Sequence, residues 1–281
     1  MKFVYICYPL MNIKYSSHMK KLGFIFLLSI ASMLELAAWS RLGHEVAVAV
    51  AQRHLTEKTK ANIAKYIDYD LKEDAVWMDD HRRDEHIAFT THWHTICIDK
   101  NLKYDPNMHR SKLANGDAIR AYRICEATLR DKRYEHMTDS AVVMALRILI
   151  HCVPDMHCPT HTQFEGKKDG RNYTLNGVNI KTFHSVYDKM PSFIWGDKPA
   201  DEIAALIDNA SRKERKKIIS GDVYQWAEDI ARKNIEIYTW NPAGVEQLNP
   251  DTVELSTDLV NRQMRDAGYR LAYLLNLYFG K

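Results

Sequence analysis

The sequence predicts a mainly helical, single-domain protein behind a short export segment. Three observations carry that prediction. Apolar residues recur at helical spacing over most of the chain, no Pro- or Ser-rich linker or internal repeat divides it, and a single stretch is rich in glycine and β-prone residues. With 281 residues, 46% of them hydrophobic and 10% aromatic, the chain is long enough to bury a core and too aromatic for disorder. Eleven Gly and eight Pro exclude a collagen-like or low-complexity chain.

The first element in chain order is an export signal. Lys20 and Lys21 precede an apolar run from Leu22 to Leu34, and Leu36-Ala37-Ala38 supply a small-residue end before Trp39. The run is shorter than the roughly 20 apolar residues a membrane span needs, and Glu35 at its end weighs against an uncleaved anchor, the alternative reading. Met19 is the natural start, which makes residues 1–18 an over-long beginning. Residues 1–38 are therefore expected to be removed and 39–281 to form one domain. The whole chain carries a formal charge of +3; without Lys2, Lys14, Lys20, Lys21 and Glu35 it holds 35 basic and 35 acidic residues. A neutral chain lacks the basic surplus by which nucleic-acid binders release counterions. Export implies an oxidising compartment. Four cysteines remain, Cys97, Cys125, Cys152 and Cys158, with no CxxC pair; a Cys152–Cys158 bridge and buried free thiols are both open.

The helices follow. Glu45 to Leu55 is Ala- and Val-rich at helical spacing, and Thr56 to Thr59 opens a second helix reaching Ile67. Ser111 to Leu129 and Ser140 to Ile150 are amphipathic, and Pro154 is expected to kink or end the latter near Ile150. Phe164 to Phe183, with Gly166, Gly170 and Gly177, reads as a loop with at most a hairpin. Asp222 to Tyr238 and Leu255 to Tyr278 supply two long helices near the C-terminus.

The chain has thirteen histidines, and their placement matters more than the total. In His151-Cys-Val-Pro-Asp155-Met-His-Cys-Pro-Thr-His161, the first His and the Asp stand one helical turn apart, with His161 on the turn beyond; His184 and Asp188 repeat the i, i+4 spacing. Imidazoles with carboxylates suit zinc. Singly, each pair reads more readily as a helix-stabilising contact; taken together with His161, a metal site and a set of such contacts are equal readings, and spacing alone goes no further.

These residues resemble those of the S1/P1 nucleases, exported zinc enzymes related to the zinc phospholipases C. Trp39-Ser-Arg-Leu-Gly-His44 resembles that family's mature N-terminus, and Trp77-Met-Asp79 its Trp-Ala-Asp. Trp93-His94 follows at a similar distance. Arg147 through His161 resembles Arg-Phe-Leu-Val-His-x-x-Gly-Asp-x-x-Gln-Pro-Leu-His, Phe183 through Asp188 resembles Leu-His-Ser-x-Trp-Asp, and Gly268 through Ala272 resembles the closing Gly-x-Arg-Leu-Ala. The resemblance implies an all-α, phospholipase C/P1 nuclease-like domain and three Zn2+ per mature chain. One would be held by Asp79, His94, His151 and Asp155. A second would take the α-amino nitrogen and carbonyl oxygen of Trp39 with His44 and the bridging Asp155, and a third His161, His184 and Asp188. Because only a freed Trp39 offers an amine, signal cleavage would be part of building the site.

Several positions depart from the family pattern. Pro154 stands in place of Gly, Cys158 of Gln and Thr160 of Leu, as neighbours of ligands and not as ligands. Thr95 and Cys97 occupy the places of an aromatic and an Asp, and Asp99 is the candidate acid–base substitute if its loop rearranges. Gly170-Arg171-Asn172 stands for Gly-Gly-Asn, with Asn172 the candidate substrate contact. The implied reaction is zinc-assisted hydrolysis of phosphodiesters in single-stranded DNA or RNA, and of 3′-nucleotides, giving 5′-phosphomonoesters, with no stable membrane association and no protein partner. Two alternatives are a phospholipase C and a non-catalytic exported zinc-binding protein. The related phospholipases end their ligand set in Glu after a shorter gap; here the residue is Asp188, and 22 residues separate His161 from His184. Thr95, Cys97 and Arg171 are what favour a non-catalytic protein.

Overall fold

A computed structural model describes residues 39–281 except 69, 109–115, 168–169 and 243–246. The export signal thus lies outside the described residues. What is described is predominantly helical with two small two-stranded sheets, as the periodicity predicts.

Helix α1 (Arg41–Gln52) is small-sided and buried on most of its surface. It packs chiefly on the long C-terminal helix α12 (Thr252–Phe279), and the two come close because Gly268 carries no side chain. A Cβ there would lie 2.6 Å from the Ala47 carbonyl oxygen and from Val50. Next in the chain come α2 (Glu57–Ile63), started by Thr56, whose hydroxyl accepts from the Thr59 N–H, and α3 (Lys72–His81). Strand β1 (Ile96–Ile98) follows, then α4 (Ala118–Leu129), capped by the Asp117 carboxylate on the Ile119 and Arg120 N–H groups. Side-chain caps of this kind contribute about 1 kcal/mol each.

Helix α5 (Asp139–His157) is the centre of the molecule, packed on α3, α4, α1 and α12. Of the kink or end expected at Pro154, the end near Ile150 does not occur, and the chain stays helical through His157. Proline removes one i→i−4 hydrogen bond, but every residue from Ile148 to His157 is buried, so packing on all sides outweighs that loss. Among the described residues α5 is the one helix long and apolar enough to cross a membrane, and it is mostly buried inside the fold.

Strand β2 (Thr162–Phe164) pairs in parallel with β1, Cys97 opposite Gln163. Strands β3 (Arg171–Leu175) and β4 (Val178–Thr182) form the expected hairpin around Asn176-Gly177, both at positive φ, the conformation a two-residue turn of this type requires. Helices α6 (Phe183–Asp188), α7 (Met190–Trp195), α8 (Ala200–Ile207) and α9 (Arg212–Ile218) follow, then α10 (Val223–Asn234) and the short α11 (Ile237–Trp240). Capping boxes at Ser211/Glu214 and Asp222/Gln225 fix the starts of α9 and α10. Within 111–129 the helix begins only after Asp117, with 111–115 outside the described residues, and Asp222–Tyr238 divides into α10 and α11.

Two apolar cores result. One gathers α4, α5, α10 and α12; the other joins Trp39, the hairpin and α6 to α8. Helix α1 contributes Val48 and Ala51 to the first and Val46 and Val50 to the second, so its own polar residue His44 stands at the seam. All four described cysteines are free and buried.

Candidate metal centre

Asp155 sits at the heart of the seam, fully buried on the last turns of α5. Each of its carboxylate oxygens faces two imidazoles. Oδ2 lies 2.7 Å from His94 Nδ1 and 2.8 Å from His151 Nε2; Oδ1 lies 3.2 Å from His44 Nε2 and 3.1 Å from His161 Nδ1. Four different segments deliver these rings: α1, the turn before β1, α5 and the 3-10 turn Pro159–His161. The i, i+4 spacing of His151 and Asp155 holds because the helix continues past Pro154.

Neighbouring backbone orients the rings. His151 Nδ1 donates to the Ala75 carbonyl at 2.6 Å, which turns Nε2 toward Asp155. A metal-binding imidazole is ordinarily anchored in this way. Ala75 lies on α3, which also brings Asp79 Oδ1 to 3.9 Å from both His94 Nδ1 and His151 Nε2. The same helix is tied to α5 by Arg147 Nε on Asp74 Oδ1 at 2.8 Å. His44 Nδ1 is hydrogen bonded to the Trp39 carbonyl. The Trp39 indole is wholly buried against Gly43, where a Cβ would come within 2.9 to 3.0 Å of three ring atoms. The Ser40 N–H donates to the Asp188 carbonyl at 2.8 Å, fixing the segment beside α6.

On α6 the expected pair forms: His184 Nε2 lies 3.4 Å from Asp188 Oδ2, and Asp188 Oδ1 is 3.3 Å from His161 Nε2. His161 and His184 stack at 4.7 Å, as His44 and His151 do at 4.5 Å. His184, 31% exposed, and His94, 13% exposed, form the open side; His44, His151, Asp155 and His161 are sealed.

Charge holds the site together. Burial would raise the Asp155 carboxyl, but His151, His161 and His44 outweigh it and keep it well below the usual range. Burial lowers His151, and Asp155 with Asp79 more than reverse this, to about 9. His94 is lowered, chiefly by burial. Even so, His44 Nε2, Asp155 Oδ1 and His161 Nδ1 are buried without a hydrogen-bond partner. Three converging orphaned atoms of this kind, two imidazole nitrogens and a carboxylate oxygen, fit a divalent cation and zinc in particular. Three sets of donor atoms, each lying within 4.8 Å of one another, can hold metal: His44, His151 and Asp155; Asp79, His94 and His151; and Cys158, His161 and Asp188.

An S1/P1 nuclease family model matches residues 39–280, nearly the whole described chain. The chain belongs to the S1/P1 nuclease family. No curated protein sequence matches it. Family membership and the three donor sets make it a nuclease-type hydrolase with metal-binding capacity.

The two other predicted residues stand apart from the nuclease's donor sets. The Asp99 carboxylate accepts from the Asn101 and Lys103 N–H groups at 2.9 and 2.8 Å, hydrogen bonds that hold it low, and it closes its own turn after β1. Four residues, Thr95 and the three of β1, separate Asp99 from His94, and the strand alone spans about 10 Å. Asn172 is exposed on β3 with φ 63. Arg171 beside it pairs with Thr182, which caps α6, so the hairpin abuts the helix carrying His184. Cys97, in the place of the family's Asp, is buried in β1, and burial pushes its thiol to about 12. Sequence reasoning set Cys158 beside the ligands and not among them, whereas the fold turns it into the third donor set; its position three residues before His161 was the available signal. It also left out His157, whose Nε2 accepts from Arg270 at 2.9 Å. Arg270 binds Asp229 and the Ile218 carbonyl as well, clamping the end of α5 to α9 and α10.

Proposed function

We propose that the mature protein, exported and beginning at Trp39, holds three zinc ions and hydrolyses phosphodiester bonds in single-stranded DNA or RNA. The same site would release phosphate from 3′-nucleotides and leave 5′-phosphomonoesters. The observation that supports this best is the Asp155 carboxylate with two imidazoles on each oxygen, in a chain of the nuclease family.

Asp79, His94, His151 and Asp155 would hold one ion, Trp39 with His44 and Asp155 a second, and His161, His184 and Asp188 a third. Bound zinc supplies Lewis-acid polarisation of a phosphoryl oxygen and a water made acidic near neutral pH. The protein's part is placement. Asp155, kept ionised, joins two sites and fixes their spacing. His151, anchored on Ala75, presents one nitrogen only. His94 and His184 line the open side, where a splayed strand reaches the site more readily than a stiff duplex. The mature chain is neutral, so the grip on phosphate belongs to the metal centre and not to a basic surface. No membrane attachment and no protein partner enters this reading.

The test is turnover by zinc-loaded protein beginning at Trp39, on single-stranded DNA, RNA and a 3′-nucleotide, with phosphatidylcholine in parallel. Cleavage of the nucleic acid to 5′-phosphomonoesters is expected. Zinc-loaded protein inert toward all three overturns the proposal. Phosphatidylcholine hydrolysis in their place identifies a phospholipase C, and no hydrolysis at all a zinc-binding protein.

A further inference from the structure

We propose that Cys158 is a metal ligand, its thiolate completing the site of His161 and Asp188. This rests on the metal-centre reading above and adds to it a sulfur donor.

The placement begins at the end of α5. Cys158 is the residue on which the helix stops, with φ −59 and ψ 127, and the chain turns there into Pro159–His161. That turn sends His161 toward Asp155 and directs Cys158 Sγ to 3.8 Å from Asp188 Oδ1. Cys158 is wholly buried, as is His161, and Asp188 is 5% exposed, so no solvent competes for these donors.

The spacings suit one ion. Zinc with bonds of about 2.3 Å to sulfur and about 2.1 Å to oxygen or nitrogen, at tetrahedral angles, sets a sulfur–oxygen edge of about 3.6 Å and a nitrogen–oxygen edge of about 3.4 Å. The protein shows 3.8 Å from Cys158 to Asp188 and 3.3 Å from His161 to Asp188. His184 Nε2, 3.4 Å from the other Asp188 oxygen, stands on the exposed side as the donor nearest solvent. The other cysteines lack this arrangement. Cys152 donates to Met78 Sδ at 3.9 Å, and Cys97 and Cys125 belong to no donor set among the described residues.

Binding exchanges the S–H bond for an S–metal bond, with the proton released to solvent and no change of oxidation state. The consequence is a softer site than an all-nitrogen and oxygen set, one that favours zinc or cadmium over magnesium or manganese.

Cobalt(II) loading of the protein beginning at Trp39 tests this without recourse to activity. A sulfur-to-cobalt charge-transfer band in the near ultraviolet is expected. It should be lost in Cys158→Ser and kept in Cys152→Ser, while the visible cobalt absorption of the remaining sites persists in both. X-ray absorption at the zinc edge of the unsubstituted protein gives a second measurement, independent of how the variant folds: a sulfur scatterer near about 2.3 Å is expected. Bound cobalt with no charge-transfer band, a band that survives Cys158→Ser, or a zinc edge without sulfur overturns the proposal and leaves the metal centre standing. Failure to bind cobalt or zinc at all overturns both.

Discussion

Asp155 shows what one residue can decide. Its carboxylate faces four imidazoles, and in the proposed arrangement it serves two ions. Asn keeps the shape and removes the charge, so Asp155→Asn should weaken both sites together, with two zinc ions lost to mild chelation and hydrolysis of single-stranded DNA down by at least about a hundredfold, the scale of a positioned catalytic group. Full zinc content at full rate would show that Asp155 bridges nothing. Asp99→Asn is the contrast. Its carboxylate closes a turn five residues beyond His94, on the far side of β1, so the expected rate is unchanged within about twofold, whereas a hundredfold loss would make it the acid–base group its sequence position suggests. His151 with Asp155 and His184 with Asp188 were legible from their one-turn spacing, whereas Trp39, His44, Asp79 and His94 were reached only through the family resemblance. Cys158 was legible in neither way, because its neighbourhood depends on where the helix stops, and Pro154 pointed to the wrong place.

At the scale of elements, none was read between Asp188 and Asp222, where α7, α8 and α9 lie; elsewhere the amphipathic helices were readable, and Phe164 to Phe183 as a loop with at most a hairpin. Helix α3 was not. Its sequence, Lys-Glu-Asp-Ala-Val-Trp-Met-Asp-Asp-His, carries charge on the buried face as well as the exposed one. Asp74 is there to meet Arg147 and Asp79 to meet His94 and His151, so function erases the periodicity that marks a helix. The β1–β2 pair was invisible for a different reason: three residues pair with three others 66 positions away, and no local pattern reports that. The close approach of α1 and α12 gives a prediction of its own. Gly268→Ala puts a methyl 2.6 Å from the Ala47 carbonyl and from Val50, and overpacking of this kind costs about 1–3 kcal/mol. Because α1 carries His44, a lowered Tm should come with faster loss of zinc to chelator; an unchanged Tm would mean that the two helices part freely.

At the scale of the whole molecule, the proposed removal of residues 1–38 would make Trp39 part of the site's chemistry. Trp39 is buried in the second core, its indole held on Gly43 and its carbonyl on His44, and Ser40 ties the segment to Asp188. Residues 39–281 carry no net formal charge to draw nucleic acid from a distance, so the proposed activity depends on the metal centre being complete. In the precursor the Trp39 nitrogen is a peptide nitrogen, whose lone pair is delocalised into the carbonyl and cannot serve as an amine ligand. Removal of residues 1–38 would free it, so that the second zinc site forms only after processing. A protein with one extra Gly before Trp39 separates this from a merely structural role of the terminus. It retains the indole, the carbonyl and His44, and moves the amine one residue away. Elemental analysis should then give about two zinc ions where the protein beginning at Trp39 gives about three, the ligand count of the proposed sites. Hydrolysis should fall with the lost ion while Tm in the metal-free state stays the same. Three ions in the extended protein would show that the amine is not a ligand and that processing leaves the centre unchanged.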